Sequence, residues 1–249
     1  MYLLSIRLNF KIEIMRKIFL LVSLTFSLNI IAQTNEYSNL LKKYVDTKGN
    51  VNYKGFKTDE TKLQTYLNYL ASTEPQKSWP ATKAKAFWAN AYNAYTIKLI
   101  LDNYPLKSIM SIKKKGKNAW EIPFAKVGGK IYTLNQIEHE ILRKKYSDPK
   151  IHVAVNCASG SCPQLPNYAF TEANYESKTD VLMKKFINDT KRNKISEDKI
   201  QLSKIFEWFK EDFTKKSSLV DYLNKYSNTK INSNAKIKYL EYDWSLNGK

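Results

Sequence analysis

Glycine and proline are sparse, seven of each in 249 residues, which argues against long flexible linkers. No internal repeat is present, and no composition shift marks a domain boundary. Beyond residue 33 no segment is apolar enough to cross a bilayer. No cysteine follows the apolar stretch near the amino end, so a lipid anchor has no acceptor there. Arginines form no cluster suited to bidentate anion recognition. Acidic residues number 23 against 41 basic ones, a net charge of +18.

What is present is material for a folded core. Hydrophobic residues make up 43% and aromatics 13%, which excludes wholesale disorder. Met15-Arg16-Lys17 precedes an apolar stretch, Ile18 to Ile31, ending in Ala32-Gln33. A basic head, a short apolar run and a polar continuation form the signal-peptide pattern. Residues 1–33 are therefore expected to be a signal peptide, with translation starting at Met15, and residues 34–249 a single domain that is secreted or periplasmic. Four basic residues and one acidic residue lie in 1–33, which leaves 37 basic and 22 acidic, or +15. Such a balance favours acidic partners. For an exported chain the expectation is an envelope peptide or acidic polymer, not nucleic acid. The bland alternative is a lysine-rich solvated surface.

Periodicity predicts helices over 36–45, 59–71 and 84–102. The last is apolar on nearly every side (Phe87, Trp88, Tyr92, Tyr95, Leu99), which marks a central helix. Ile122 to Thr133 reads as a hairpin turning at Gly128-Gly129. Thr133 and Gln136 form a capping box opening a helix to Tyr146. Residues 151–157 alternate as a strand would, with His152 on one face. Further helices are expected at 171–193, 205–213 (capped by Ser203) and 219–226, and extended segments at 199–202 and 237–242. The fold class is α+β, helices packed around a small antiparallel sheet.

The two histidines and two cysteines, His139, His152, Cys157 and Cys162, all fall between positions 139 and 162. This is where chemistry is sought. In one reading Cys157 is a nucleophile, His152 its base and Glu138 the carboxylate that orients the histidine. The small-residue loop after Cys157 would turn amides inward as oxyanion donors. Helical spacing puts Glu138 near the apolar stripe and His139 away from it. A second reading joins Cys157 to Cys162 in a disulfide. A third gathers His152, Cys157, Cys162 and His139 or Glu138 around zinc, but the spacings are not those of a standard zinc knuckle. No metal or other cofactor is expected. Asn90 and Asn93 lie three apart on the central helix and must find hydrogen-bond partners if buried; holding the Cys157 loop is the role expected of them.

Phe87-Trp88-Ala89-Asn90-Ala91-Tyr92-Asn93-Ala94, Leu134-Asn135-Gln136-Ile137-Glu138-His139, His152 to Pro163 and Tyr242-Asp243-Trp244-Ser245-Leu246-Asn247 resemble the domain of unknown function 547. The resemblance covers roughly residues 80–215, with flanking motifs beyond. It implies a bacterial exported or envelope protein and brings no assigned activity. It also implies that Asn90, Asn93, Cys157, Ser161 and Pro163 stand at the family's steadiest positions. The binding residues expected are Asn90, Asn93, Ser161 and Cys162. The histidine is less regular in the family. The family often has glycine after the first cysteine; Ala158 stands here, so left-handed backbone is not expected at that point. A distant likeness to papain-like or transglutaminase-like folds follows at the level of architecture only.

The functional expectation is a thiol-dependent hydrolase or acyl transferase acting on an envelope peptide or amide. The alternative is a non-catalytic envelope binding domain with a structural Cys157–Cys162 bridge.

Overall fold

The computed structural model describes Glu13, Met15 and residues 32–248. The expected signal peptide lies almost wholly outside these residues. At the centre is helix α4, Ala81–Asp102, of which 17 of 22 residues are buried. Alanines at 86, 89, 91 and 94 let neighbouring backbones approach it closely. Its large side chains each contribute about 1.5–3 kcal/mol by leaving water. Lys85 is the one charged residue buried on it. Its ammonium is held by Asp148 and Glu176, both at 2.6 Å.

Helices α2 (Tyr53–Thr58) and α3 (Glu60–Ser72) pack against α4, and α1 covers residues 32–44. Tyr37 of α1 stacks on Tyr66 of α3, ring centroids 4.3 Å apart. Two short antiparallel ribbons follow: β1 (Lys113–Lys114) with β2 (Lys117–Asn118), and β3 (Ala125–Val127) with β4 (Lys130–Tyr132). The expected Gly-Gly turn joins β3 to β4, with φ of 54° and 78°. This turn also caps α3, since the amides of Gly128 and Gly129 donate to the carbonyls of Leu70 and Ala71. A Cβ at Gly128 would sit 2.8 Å from the Glu74 Cα, so both φ and space require glycine there.

The Thr133–Gln136 capping box forms as expected, each residue bonding the other's amide at 3.0 Å. What it opens is a π-helix, Gln136–Arg143, continued by α5 (Lys144–Tyr146). Residues 151–157 are not a strand. Ile151–Ala154 form one helical turn, α6, and the chain becomes extended only at Val155. Asp148 starts that turn by accepting from the Lys150 amide. All four residues of α6 are buried, so the apparent alternation had no solvent face to report.

Helix α7 spans Tyr175–Ile187, shorter than expected. The segment 205–213 is broken at Phe209 into α8 (Ile205–Trp208) and α9 (Lys210–Thr214). Helix α10, Leu219–Asn224, opens on a Ser218–Asp221 capping box. Strands β5 (Lys194–Ile195), β6 (Lys199–Leu202) and β7 (Lys236–Tyr239) make a third sheet. Its β5–β6 pair is antiparallel and its β6–β7 pair parallel. The α+β class therefore stands, with the sheet divided into three pieces. No helix among the described residues is long and apolar enough to cross a membrane.

Candidate functional site

Asparagines fix the backbone around Cys157. Asn93 on α4 donates to the Ala154 carbonyl and accepts from the Asn156 amide, both at 2.8 Å. Asn156 accepts from the Ala158 amide at 2.9 Å and donates to the Pro163 carbonyl at 2.8 Å. Asn247, from the tail of the chain, donates to Asn156 and accepts from the buried Tyr53 hydroxyl. Each amide replaces a backbone pairing that an irregular buried segment lacks. Asn90 makes the same two-bond clamp elsewhere, on the amide and carbonyl of Phe170. Only Asn93 serves the Cys157 loop.

Ala158 lies in the left-handed region, φ 60°, contrary to expectation. The Asn156 side chain on its amide and the Asn247 amide on its carbonyl over-determine the conformation. A non-glycine residue held there carries strain of about 1–2 kcal/mol. The turn throws the loop against the tail. Gly160 and Ser161 donate their amides to the carbonyls of Ser245 and Asp243, and the Ser161 hydroxyl accepts from the Asp243 amide. Ser161 thus fastens the loop to the tail. A Cβ on Gly160 would come within 2.7 Å of the Asp243 carboxylate. The amides of Gly160 and Ser161 are thereby engaged and do not turn inward as oxyanion donors.

The tail also delivers Tyr242 to the cysteine. The Cys157 sulfur lies 3.1 Å from the Ser159 hydroxyl and 3.4 Å from the Tyr242 hydroxyl, and the two hydroxyls are 2.9 Å apart. The Cys157 amide donates to the Cys162 sulfur at 3.1 Å. Both cysteines are free thiols, so the disulfide reading is not what the structure holds. A hydrogen bond from Cys162 lowers the Cys157 pKa to about 7, against the opposing effect of burial and with help from Ser159 and Tyr242. Burial, and then the Cys157 charge, push the Cys162 thiol well up. Cys162 therefore stays protonated as donor while Cys157 ionises.

Among the described residues His152 bonds a carboxylate and makes no hydrogen bond to Cys157. Its Nε2 is 2.8 Å from the carboxylate of Asp212, and its ring stacks on Phe209 with centroids 4.3 Å apart. The Arg143 Nε donates to the same Asp212 oxygen at 2.6 Å, and its NH1 lies 3.2 Å from the His139 Nδ1. Burial alone would raise the Asp212 pKa, but the bonds from His152 and Arg143 outweigh it and hold the carboxyl well below the usual range. Asp212, not Glu138, orients the histidine. Among the described residues the His152 Nδ1 makes no hydrogen bond.

Glu138, His139, His152, Cys157 and Cys162 all line one cavity of about 200 Å³, with Tyr92, Trp120, Trp208, Phe209, Tyr242 and Trp244 among its walls. His139 faces it, against expectation, because the i→i+5 bonding of the π-helix reduces the rotation between successive residues; the Lys144 amide, for example, reaches the His139 carbonyl. Glu138 is buried, only 8% exposed, yet makes no hydrogen bond or ion pair among the described residues. Nor do the described His, Cys, Asp and Glu side chains form a group of three that could hold a metal ion, so the zinc reading finds no site.

Sequence reasoning located the cavity but missed Asp212, Ser159 and Tyr242. Tyr242 opened a motif already noted, and Ser159 lay inside another. Asp212 gave no signal, since only the tertiary packing of α9 brings it 60 positions back to His152.

Residues 76–187 match the family model described as "Protein of unknown function, DUF547". The match takes in α4, the π-helix, the Cys157 loop and α7, and the resemblance read from the motifs stands over that segment. Asp212 and Tyr242 lie beyond it. No curated protein and no solved structure matches the chain.

Proposed function

We propose that this chain is an exported, thiol-dependent hydrolase or acyl transferase acting on an amide or ester of the cell envelope. The observation that carries the reading is Cys157, a partly exposed thiol with a pKa lowered to about 7, sharing a cavity with a histidine that Asp212 orients. In the proposed reaction the Cys157 thiolate attacks the acyl carbon. The carbon–nitrogen or carbon–oxygen bond then breaks, and the leaving group departs with a proton supplied by His152. Water, giving its proton to His152, hydrolyses the thioester and frees the sulfur; an amine acceptor in place of water makes the same step a transfer. Tyr92 is the oxyanion donor of this scheme. Its hydroxyl accepts from the Trp120 indole at 3.2 Å and keeps its own proton for the substrate.

The test is to trap the thioester. After brief exposure to a small activated ester and an acid quench, an acyl group on the Cys157 peptide, labile to hydroxylamine, is expected. A Cys157 peptide that stays unmodified while the ester is in excess overturns the reading.

A second reading, compatible with the first, concerns β5–β7. Lys194, Lys199, Lys236 and Lys238 border one hollow and none of the four is in an ion pair among the described residues. Lys199 lies directly beside Lys236 in register, a like-charge pairing that an acidic polymer would relieve. Binding to such a polymer is expected to fall steeply with salt, and its absence at low ionic strength removes this reading.

A further inference from the structure

The chain carries +18, yet no lysine or arginine among the described residues lines the Cys157 cavity. Its one acidic side chain, Glu138, is more than nine-tenths buried and unpartnered among the described residues. Its carboxylate meets the cavity with no cation beside it among the described residues, and a bound cation would supply that partner. Much of the rest of the lining is aromatic. Tyr242 and Trp244 pack with ring centroids 4.5 Å apart, and Trp120 meets Trp244 edge-on at 5.7 Å. Aromatic faces attract cations as a carboxylate does, and more strongly where water is excluded.

We infer that the cavity recognises a positively charged amino group, primary or quaternary, carried close to the acyl carbon that Cys157 attacks, with Glu138 as its counter-ion. The inference rests on the thiol reading above and narrows its substrate class. It also assigns Glu138 a role that neither the histidine nor the thiol gives it.

Charged methanethiosulfonates test it on the intact chain. The Cys157 sulfur displaces methanesulfinate and forms a mixed disulfide with the reagent's thiol half. The measured quantity is the rate at which the free Cys157 thiol disappears, read on its own peptide. The bulk charge of the protein favours the anionic sulfonatoethyl reagent. The inference requires the reverse, a cation-to-anion rate ratio about ten-fold or more above that of free cysteine, falling to near the free-cysteine ratio in Glu138→Gln. The aminoethyl and trimethylammonioethyl reagents separate the two sources: preference for the first assigns a primary amine, for the second a quaternary one.

A wild-type ratio at or below that of free cysteine overturns the inference without any variant, as does an unchanged ratio in folded Glu138→Gln. The uncharged methyl reagent keeps the readings apart. If it finds Cys157 no faster than an ordinary thiol, the nucleophile is lost; if it is fast and the charged ratio is flat, only the cation subsite is lost.

Discussion

Two hollows flank the loop that carries Cys157, and they differ in size, charge and chemistry. On one side is the cavity of about 200 Å³, walled by indoles and phenols around Glu138 and His152. On the other is an open groove of about 900 Å³ bordered by Lys42, Lys43, Lys48 and Arg192. Both reach Cys162. Two of these four cations are committed: Lys43 pairs with Asp59, while Arg192 bonds Asp189 and the carbonyls of Cys162 and Gly160. The groove thus reads as a bracing face, and the cavity as the face with unspent chemistry. A large basic excess on a chain says little about the charge its site prefers.

The comparison breaks most completely at the cysteine. Cys157→Ser is expected to abolish thioester formation outright, since a serine hydroxyl is not ionised by the same hydrogen bonds; the trapped-acyl assay reads this. Next in size is Asp212→Asn. It leaves Arg143 and His152 without their shared anion and costs about 3 kcal/mol, measurable by urea unfolding. Because Asp212 is held ionised below the usual carboxylate range in the fold, its contribution is present at neutral pH and is lost as the solution is acidified. The wild type is therefore expected to lose stability below about pH 4, and Asp212→Asn to lose less over the same interval.

The paired asparagines sharpen the contrast between support and chemistry. Asn93→Ala and Asn90→Ala each strip two buried backbone groups of partners and are expected to cost about 2–4 kcal/mol. Only Asn93→Ala is expected to slow Cys157 alkylation as well, because Asn90 clamps Phe170 instead. Equal effects of both on the thiol would mean that the clamp on residues 154–156 does not position the sulfur. A smaller change is expected of Tyr242→Phe. Loss of one hydroxyl donor at 3.4 Å raises the Cys157 pKa by about half a unit to one unit, read from the pH dependence of alkylation.

How far the sequence reveals this site depends on the distance over which each interaction is written. Local rules worked: the Thr133–Gln136 box, the Gly128-Gly129 turn and the all-round apolar α4 are each encoded within a few residues. The cluster of His and Cys between 139 and 162 also located the cavity. Failures came where tertiary partners decide. Residues 151–154 alternate on paper, but Asp148 and the surrounding core make them helical. Ala158 takes a left-handed φ because Asn156 and Asn247 hold it there, and no local preference of alanine forecasts that. The π-helix turns His139 into the cavity, which an α-helical wheel cannot show. Asp212 reaches His152 only through α9.

The proposed chemistry requires the Cys157 sulfur to be ionised near neutrality by Cys162, Ser159 and Tyr242. The direct measurement is the rate of Cys157 alkylation by iodoacetamide as a function of pH, followed on the Cys157 peptide of the folded protein. A rise with its midpoint near pH 7 is expected. A midpoint at or above about 8.5, where an ordinary cysteine ionises, would contradict it.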